Sequence, residues 1–344
     1  MGVSREYLIF SVATIASATF VILTIYSGME KHEKDRVLQP RITMSQRSND
    51  HFLQNCPATQ ALRRHTQRHG CSSLGFCDKE TYKLNKIITN PSYLRNIYVS
   101  ERYRTIICLI PKATSMNWVR TLMILEGAIN STNGLAPQEI VNAAKKHLRV
   151  LGQYKPDKRL GILRNYSSAI FVRNPYSRLL SAFRDRLETY PNRNMLHRKW
   201  FNKNIYLKFG NHSPAEMPDR SMPSEKYNVT FKEFVDYYLS VEKTQDVHWR
   251  EQYKVCPPCF DYDYIGNVET YADDFKQTVQ IFDATSKVPL VKAPHATNSS
   301  EDGVLRRYYG TLSDLQMKKL EKLLSSDMKL FGYSIPRAIQ RNSF

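Results

Sequence analysis

The sequence holds no internal repeat and no low-complexity tract, which argues against solenoid architectures and biased, disordered chains. It has no glycine-rich loop ending in Lys-Ser/Thr, so nothing marks an ATP- or GTP-type phosphate loop. Cys71 and Cys77 are too irregularly placed to read as zinc ligands, although His65 and His69 lie nearby. Acidic residues are outnumbered, 32 Asp and Glu against 50 Lys and Arg, giving a formal net charge of +18. That excess points to an anionic partner (nucleotide, nucleic acid, acidic glycan or lipid headgroup) without choosing among them. What is present is material for a core. Hydrophobic residues make up 42% of 344, enough for one large α/β domain or two small ones.

The N-terminus narrows the choice of partner. Tyr7 to Ser27 carries no charge. About 20 apolar residues span a bilayer core, whereas a cleaved signal peptide has an apolar stretch of about 7–15. The expected organisation is a cytoplasmic tail at 1–6, a transmembrane signal anchor at 7–27, a polar lumenal stem at 28–100 and a catalytic domain at 101–338. An oxidising lumen permits disulfides among Cys56, Cys71, Cys77, Cys108, Cys256 and Cys259. The first three are expected to staple local loops, and Cys108, inside an apolar run, to be a free core thiol. Five Asn-x-Ser/Thr sequons stand at Asn130, Asn165, Asn211, Asn228 and Asn298. Lumenal placement removes nucleic acid as the main reading of the charge.

Along the globular part, short apolar runs alternate with helical patterns. Thr105–Ile110, Ala169–Val172 and Tyr262–Val268 read as strands buried on both faces. Helices are expected over Trp118–Ala128, after Pro175 with Leu179, Leu180, Phe183 and Leu187 on one face, over Tyr271–Phe282 and over Ser313–Leu324. Repeated strand–loop–helix units predict an α/β fold, a parallel sheet flanked by helices. Residues 190–226 read as an insertion of surface loops.

Two of the strand–helix junctions carry chemistry. In Pro111-Lys112-Ala113-Thr114-Ser115-Met116-Asn117-Trp118, a helix N-terminus offers backbone N–H groups, Lys112 a point charge, and Thr114 and Ser115 hydroxyls, a set suited to phosphate. In Arg173-Asn174-Pro175, Arg173 ends a buried strand, where ligands of open α/β sheets collect. Ser181 follows on the next helix, and Arg178, Arg184 and Arg186 extend the positive surface.

Together the two segments resemble the signatures of sulfotransferases that use 3′-phosphoadenosine 5′-phosphosulfate (PAPS). The first resembles the 5′-phosphosulfate loop. The second, Arg-x-Pro-x-x-Arg-Leu-x-Ser-Ala-Phe-Arg, resembles the 3′-phosphate site. Asp246-Val247-His248-Trp249, Cys256-Pro257-Pro258-Cys259 and Asp261-Tyr262-Asp263-Tyr264 are similar to a third block. That block belongs to the Golgi carbohydrate sulfotransferases of the chondroitin/dermatan 4-O and natural-killer-epitope branch. The resemblance implies a nucleotide-kinase-like PAPS-binding fold, a type II Golgi membrane protein and a sugar hydroxyl as acceptor, chondroitin or dermatan GalNAc O4 foremost. It implies donor contacts by Lys112, Ala113, Thr114, Ser115, Asn117 and Trp118, with Arg173 and Ser181 on the 3′-phosphate. Met116 departs from the family pattern, which has a hydroxyl there that Met cannot replace.

In-line transfer of a sulfuryl group needs charge stabilised on the leaving phosphate, expected of Lys112, and a base for the acceptor hydroxyl. His248 is the candidate base, with Asp246 and Glu269 as rivals. No metal is signalled, and Cys256-x2-Cys259 reads as structural. Arg184, Arg186, Arg193, Arg198 and Lys199 could line a groove for an acidic glycan or proteoglycan; homodimerisation stays open. Two rival readings are an inactive, glycan-binding relative on the same fold and a lumenal nucleotide kinase.

Overall fold

The structure is a computed structural model, described here for residues 58–79, 83–131, 137–188, 195–210, 228–240, 246–285, 288 and 298–341. The expected tail at 1–6, anchor at 7–27 and Cys56 lie outside the described residues. Helices of eight or more residues are α1 (Ala58–Ser73), α2 (Ser115–Leu125), α3 (Pro137–His147), α4 (Pro156–Asn165), α5 (Pro175–Arg186), α6 (Met195–Phe209), α7 (Phe231–Leu239), α8 (Tyr271–Ile281), α9 (Asp302–Tyr309) and α10 (Asp314–Phe331). The strands are β1 (Ile97–Ser100), β2 (Thr105–Cys108), β3 (Arg149–Val150), β4 (Ser167–Val172) and β5 (Tyr264–Asn267).

The strands form one sheet in the order β3-β1-β2-β4-β5. Parallel pairing holds for β2–β4 and β4–β5, with Cys108 opposite Ile170 and Val172 opposite Asn267. β1 pairs antiparallel with both β2 and β3, so the sheet is mixed and not purely parallel as expected. The antiparallel pair needs no crossover helix, only the short turn between Ser100 and Thr105.

Alternate residues of the central strands feed two cores. Ile107, Ala169, Phe171 and Tyr264 pack with α2 and α8 around Trp118. Ile106, Cys108, Ile170, Val172 and Ile265 pack on the other face against Cys71, Ile87, Tyr93, Leu330 and Phe331. Burial on both faces is why these strands read as continuous apolar runs. Gly266 is forced by this packing: a Cβ there would lie 2.4 Å from Phe171. A third cluster joins α5, α6, α7, α9 and α10 through Phe183, Phe201, Ile205, Phe234, Trp249 and Tyr309. Part of the segment read as surface loops is therefore α6, whose Phe201 and Ile205 are core.

Helix α1 lies within the segment read as stem, yet it packs on the domain. Gln60 donates to Ile265 O (2.8 Å) and accepts from Ile265 N–H (3.1 Å), and Gln67 donates to Pro258 O and Phe260 O. Gly70 lets α1 approach α10, since a Cβ there would sit 2.9 Å from Leu330 Cα. The disulfides are long-range. Cys71 joins Cys259 and Cys108 joins Cys256, closing 188 and 148 residues of chain. Cys108 is thus not a free thiol, and Cys71 does not staple a local loop. The turn after Val255 brings Cys256 against β2, and Cys259 against α1. Cys77 is exposed and in no disulfide among the described residues.

Candidate active site

The β2–β4 register brings the two chemical segments together. Both strands run the same way, so Pro111-Lys112 and Arg173 leave the sheet at the same edge. Arg173 Nη1 donates to Lys112 O at 3.3 Å, and Arg173 Nη2 to Ser300 Oγ at 2.9 Å. Its own backbone is clamped by Gln252, which accepts from Arg173 N–H (3.0 Å) and donates to Arg173 O (2.9 Å). Gln252 is held in turn by Asp327, which accepts from the Gln252 and Tyr253 N–H groups. Burial dominates there and raises the Asp327 carboxyl to about 6, against the pull of those N–H donors.

Lys112 and Thr114 both have left-handed backbone, at φ 68° and 61°. Non-glycine residues rarely sit there, and such conformations concentrate where a ligand is bound. Thr114 opens α2, but its hydroxyl donates to Ala113 O (2.7 Å) and does not cap the helix. Thr114 therefore gives the first N–H groups of α2 no side-chain cap among the described residues, which suits an anion. The N-terminus of α5 differs: Asn174 Oδ1 accepts from Tyr176 N–H, so that end is already capped.

Arg178 was expected on the basic surface but is only 3% exposed. It donates to Pro111 O (2.9 Å), Arg250 O (2.7 Å) and Val247 O (3.1 Å), tying the Lys112 loop and the His248 segment to α5. His248 Nδ1 lies 2.7 Å from Asp246 Oδ1, and Nε2 meets Arg186 Nη2. Arg186 can only donate, so Nε2 accepts and Nδ1–H points to Asp246, a neutral tautomer assigned by the network. Asp246 is therefore the orienter of His248 more than its rival. Glu269, the other rival, accepts from Asn174 N–H and Tyr333 O–H.

A buried guanidinium, Arg173, and a half-buried amine, Lys112, lie on adjoining loops here. Burial lowers the Lys112 amine to about 8, with Arg173 and Arg186 adding to the fall and Asp185, 3.3 Å from Nζ, opposing it. Burial lowers Arg173 to about 10, partly offset by Glu269. The Arg173 Nε atom is buried and has no hydrogen-bond partner among the described residues.

The remaining sequence candidates divide between site and core. Ala113 and Ser115 lie in the loop and first turn of α2, and Asn117 is buried beside Tyr271. The Trp118 ring is core, 5.0 Å from Phe171 and 5.1 Å from Phe275 between centroids. Met116 also packs against that cluster. Ser181 is buried in α5. Arg184 pairs with Glu188, and Arg193 and the side chains of Arg198 and Lys199 lie outside the described residues. Asp185, Gln252 and Ser300 were not singled out from the sequence. The only signal for them was Asp185 as an acid inside a run of arginines. A surface cavity of about 370 Å³ between α7 and α10 contains none of these residues. Among the described residues no three His, Cys, Asp or Glu side chains are placed to hold a metal ion.

Residues 95–334 match the profile described as Sulfotransferase family. The chain belongs to the sulfotransferase family. Carbohydrate sulfotransferase 8 of Mus musculus is 28% identical over 312 residues, 89% of this chain and 70% of that protein. Carbohydrate sulfotransferase 8 of Homo sapiens is 30% identical over 268 residues, 76% of this chain and 61% of that protein. Carbohydrate sulfotransferase 12 of Xenopus laevis is 30% identical over 293 residues, 78% and 66% respectively. No solved structure matches this sulfotransferase. Family membership implies PAPS as sulfate donor. The residues fit such a group: two desolvated cations, an orphaned Arg173 Nε and an uncapped helix N-terminus all call for anionic oxygen.

Proposed function

We propose that this sulfotransferase moves a sulfuryl group from PAPS to a hydroxyl of a carbohydrate, with GalNAc O4 of chondroitin or dermatan as the foremost acceptor. The observation that carries the reading is Arg173, a buried guanidinium at the exit of β4 with an unpartnered Nε, joined through Lys112 O to the loop of a second buried cation. The relatives' names support a sugar acceptor. The net charge of +18 suits an acidic glycan.

PAPS, when bound, supplies the sulfuryl group. Arg173 and Ser181 would hold its 3′-phosphate. Lys112, with the first N–H groups of α2 and the loop Ala113–Asn117, would neutralise its phosphosulfate end. The charged form of Lys112 is the useful one, because it stabilises negative charge on the leaving phosphate. His248 would take the proton of the acceptor hydroxyl at Nε2. That atom already accepts from Arg186, so base action requires Arg186 to yield its place to the hydroxyl. Asp246 holds the tautomer and stabilises the imidazolium that forms. We place the reaction in the Golgi lumen, with the 7–27 segment as a type II anchor.

The test is transfer of labelled sulfate from PAPS to desulfated glycosaminoglycans and glucuronyl glycans. Wild type should sulfate a member of the panel. Arg173→Ala should lower kcat/KM for PAPS by about 10- to 100-fold, as expected for losing a charged hydrogen bond. Thermal stabilisation by 3′-phosphoadenosine 5′-phosphate without transfer to any glycan would refute the transferase reading and leave a donor-binding relative.

A further inference from the structure

An acidic side chain stands among the cations of the site. Asp185 is on the last turn of α5, and its Oδ2 lies 3.3 Å from Lys112 Nζ and 3.3 Å from Arg186 Nε. All three side chains are largely covered: exposure is 17% for Lys112, 19% for Asp185 and 20% for Arg186. Arg186 in turn reaches His248 Nε2, and His248 Nδ1 reaches Asp246. Contacts therefore run without a break from the loop after β2, across α5, to the segment that carries His248.

We propose that Asp185 is a positioning residue that pairs with Lys112 and seats Arg186 against His248, so that one carboxylate governs both the donor-side cation and the acceptor-side imidazole. The inference rests on the reading of Lys112 as the cation at the phosphosulfate.

Burial, Arg173 from the end of β4 and Arg186 from α5 all push the Lys112 amine toward neutrality. Asp185 opposes them, by charge and by hydrogen bonding. With Asp185 present the amine titrates at about 8, so it is mostly charged at neutral pH. Without the carboxylate the amine moves lower still, so it loses its proton at a lower pH. The same change removes the carboxylate that pairs with Arg186 by charge, 3.3 Å from Nε and without a hydrogen bond. Arg186 then has less to fix it beside His248.

Rates measured across about pH 6 to 9 decide the matter, because such profiles report the ionisation of essential groups. The variants are Lys112→Ala, Lys112→Arg, Asp185→Asn, Asp185→Glu and Asp185→Asn with Lys112→Arg. Wild type should lose activity on an alkaline limb. Asp185→Asn should move that limb to lower pH by about one unit, a roughly tenfold loss on that limb. Asp185→Glu should restore it in part. Arg in place of Lys112 should abolish the limb in either background, since a guanidinium stays charged. A role in folding alone would lower kcat equally at every pH. An unmoved limb in Asp185→Asn, with Lys112→Ala inactive, overturns the inference and leaves the role of Lys112 intact. Persistence of the limb in Lys112→Arg overturns it as well, and needs no Asp185 variant to fold. Full turnover by Lys112→Ala instead overturns the reading of Lys112 itself.

Discussion

Arg178→Met should lower the unfolding temperature of the full-length chain by about 10 °C and abolish most sulfate transfer, although Arg178 is expected to touch neither substrate. The magnitude follows from three contacts. The guanidinium is 3% exposed and donates to the carbonyls of Pro111, Arg250 and Val247 at 2.7–3.1 Å. Hydrogen bonds from a charged donor contribute roughly 1.5–3 kcal/mol each, so three amount to roughly 5–9 kcal/mol. Removing a desolvated charge returns several kcal/mol of that, leaving a net loss of about 4 kcal/mol. For a domain of this size each kcal/mol lowers the melting temperature by about 2–4 °C. Met fills much of the same volume, so a cavity contributes little. The activity loss has a separate cause. Pro111 O anchors the loop of Lys112, and Val247 O and Arg250 O anchor the segment of His248, so both sides of the site loosen at once. Arg178→Lys should fare nearly as badly, because a compact ammonium cannot span three diverging carbonyls. Thermal unfolding followed by far-ultraviolet circular dichroism, with transfer rates on the same samples, is the assay. A shift below about 2 °C in both variants would refute the reasoning, showing that other donors satisfy the three carbonyls.

Two further outcomes follow from the core. Replacing Cys108 and Cys256 together by Ala should cost about 2–4 kcal/mol, because the bond closes 148 residues of chain; the shift in denaturant midpoint measures it. Asp327 gives a pH signature. Its folded pKa of about 6 lies above the ordinary 3.8, so the folded state holds the proton more tightly than the unfolded one. That stabilisation is full below about pH 4 and is lost as pH rises through about 6, on the order of 2–3 kcal/mol in all. Denaturant midpoints between about pH 5 and 7.5 should fall less steeply in Asp327→Asn than in wild type, and parallel slopes would contradict the assignment.

The strands legible in the sequence were those covered on both faces. β2, β4 and β5 read as apolar runs because each face meets helices. β1 and β3 were not legible. β3 is only Arg149–Val150, and around Ile97–Ser100 the flanking Arg95, Glu101 and Arg102 hide the pattern. Helix α1 escaped for a different reason. A helix is recognised by an apolar stripe, but the buried residues of α1 are Gln60, Gln67, Gly70 and Cys71. Its docking is polar, through Gln60 and Gln67 to the backbone of β5 and the Pro258–Phe260 turn. The disulfides escaped because pairing across 148 and 188 residues leaves no local spacing to read.

Within the site, legibility followed the backbone. Lys112 and Arg173 could be found because each leaves the end of a buried strand, and parallel strands β2 and β4 deliver their ends to one place. The groups that regulate them could not, since their partners lie far along the chain. Asp185 meets Lys112 across 73 positions, Ser300 meets Arg173 across 127, and Asp327 meets Gln252 across 75. Arg178 illustrates the limit most clearly. In the helix Pro175–Arg186 it looks like one more basic residue among Arg184 and Arg186, and nothing in its spacing marks it as buried. What buries it is the convergence of three carbonyls from two loops, a property of the assembled fold. Charge counted along the sequence therefore overstates the basic surface of this sulfotransferase. Arg173 and Arg178 are buried and Lys112 is half-buried, so three of its cations are withdrawn from the surface at the junction of β2, β4 and α5.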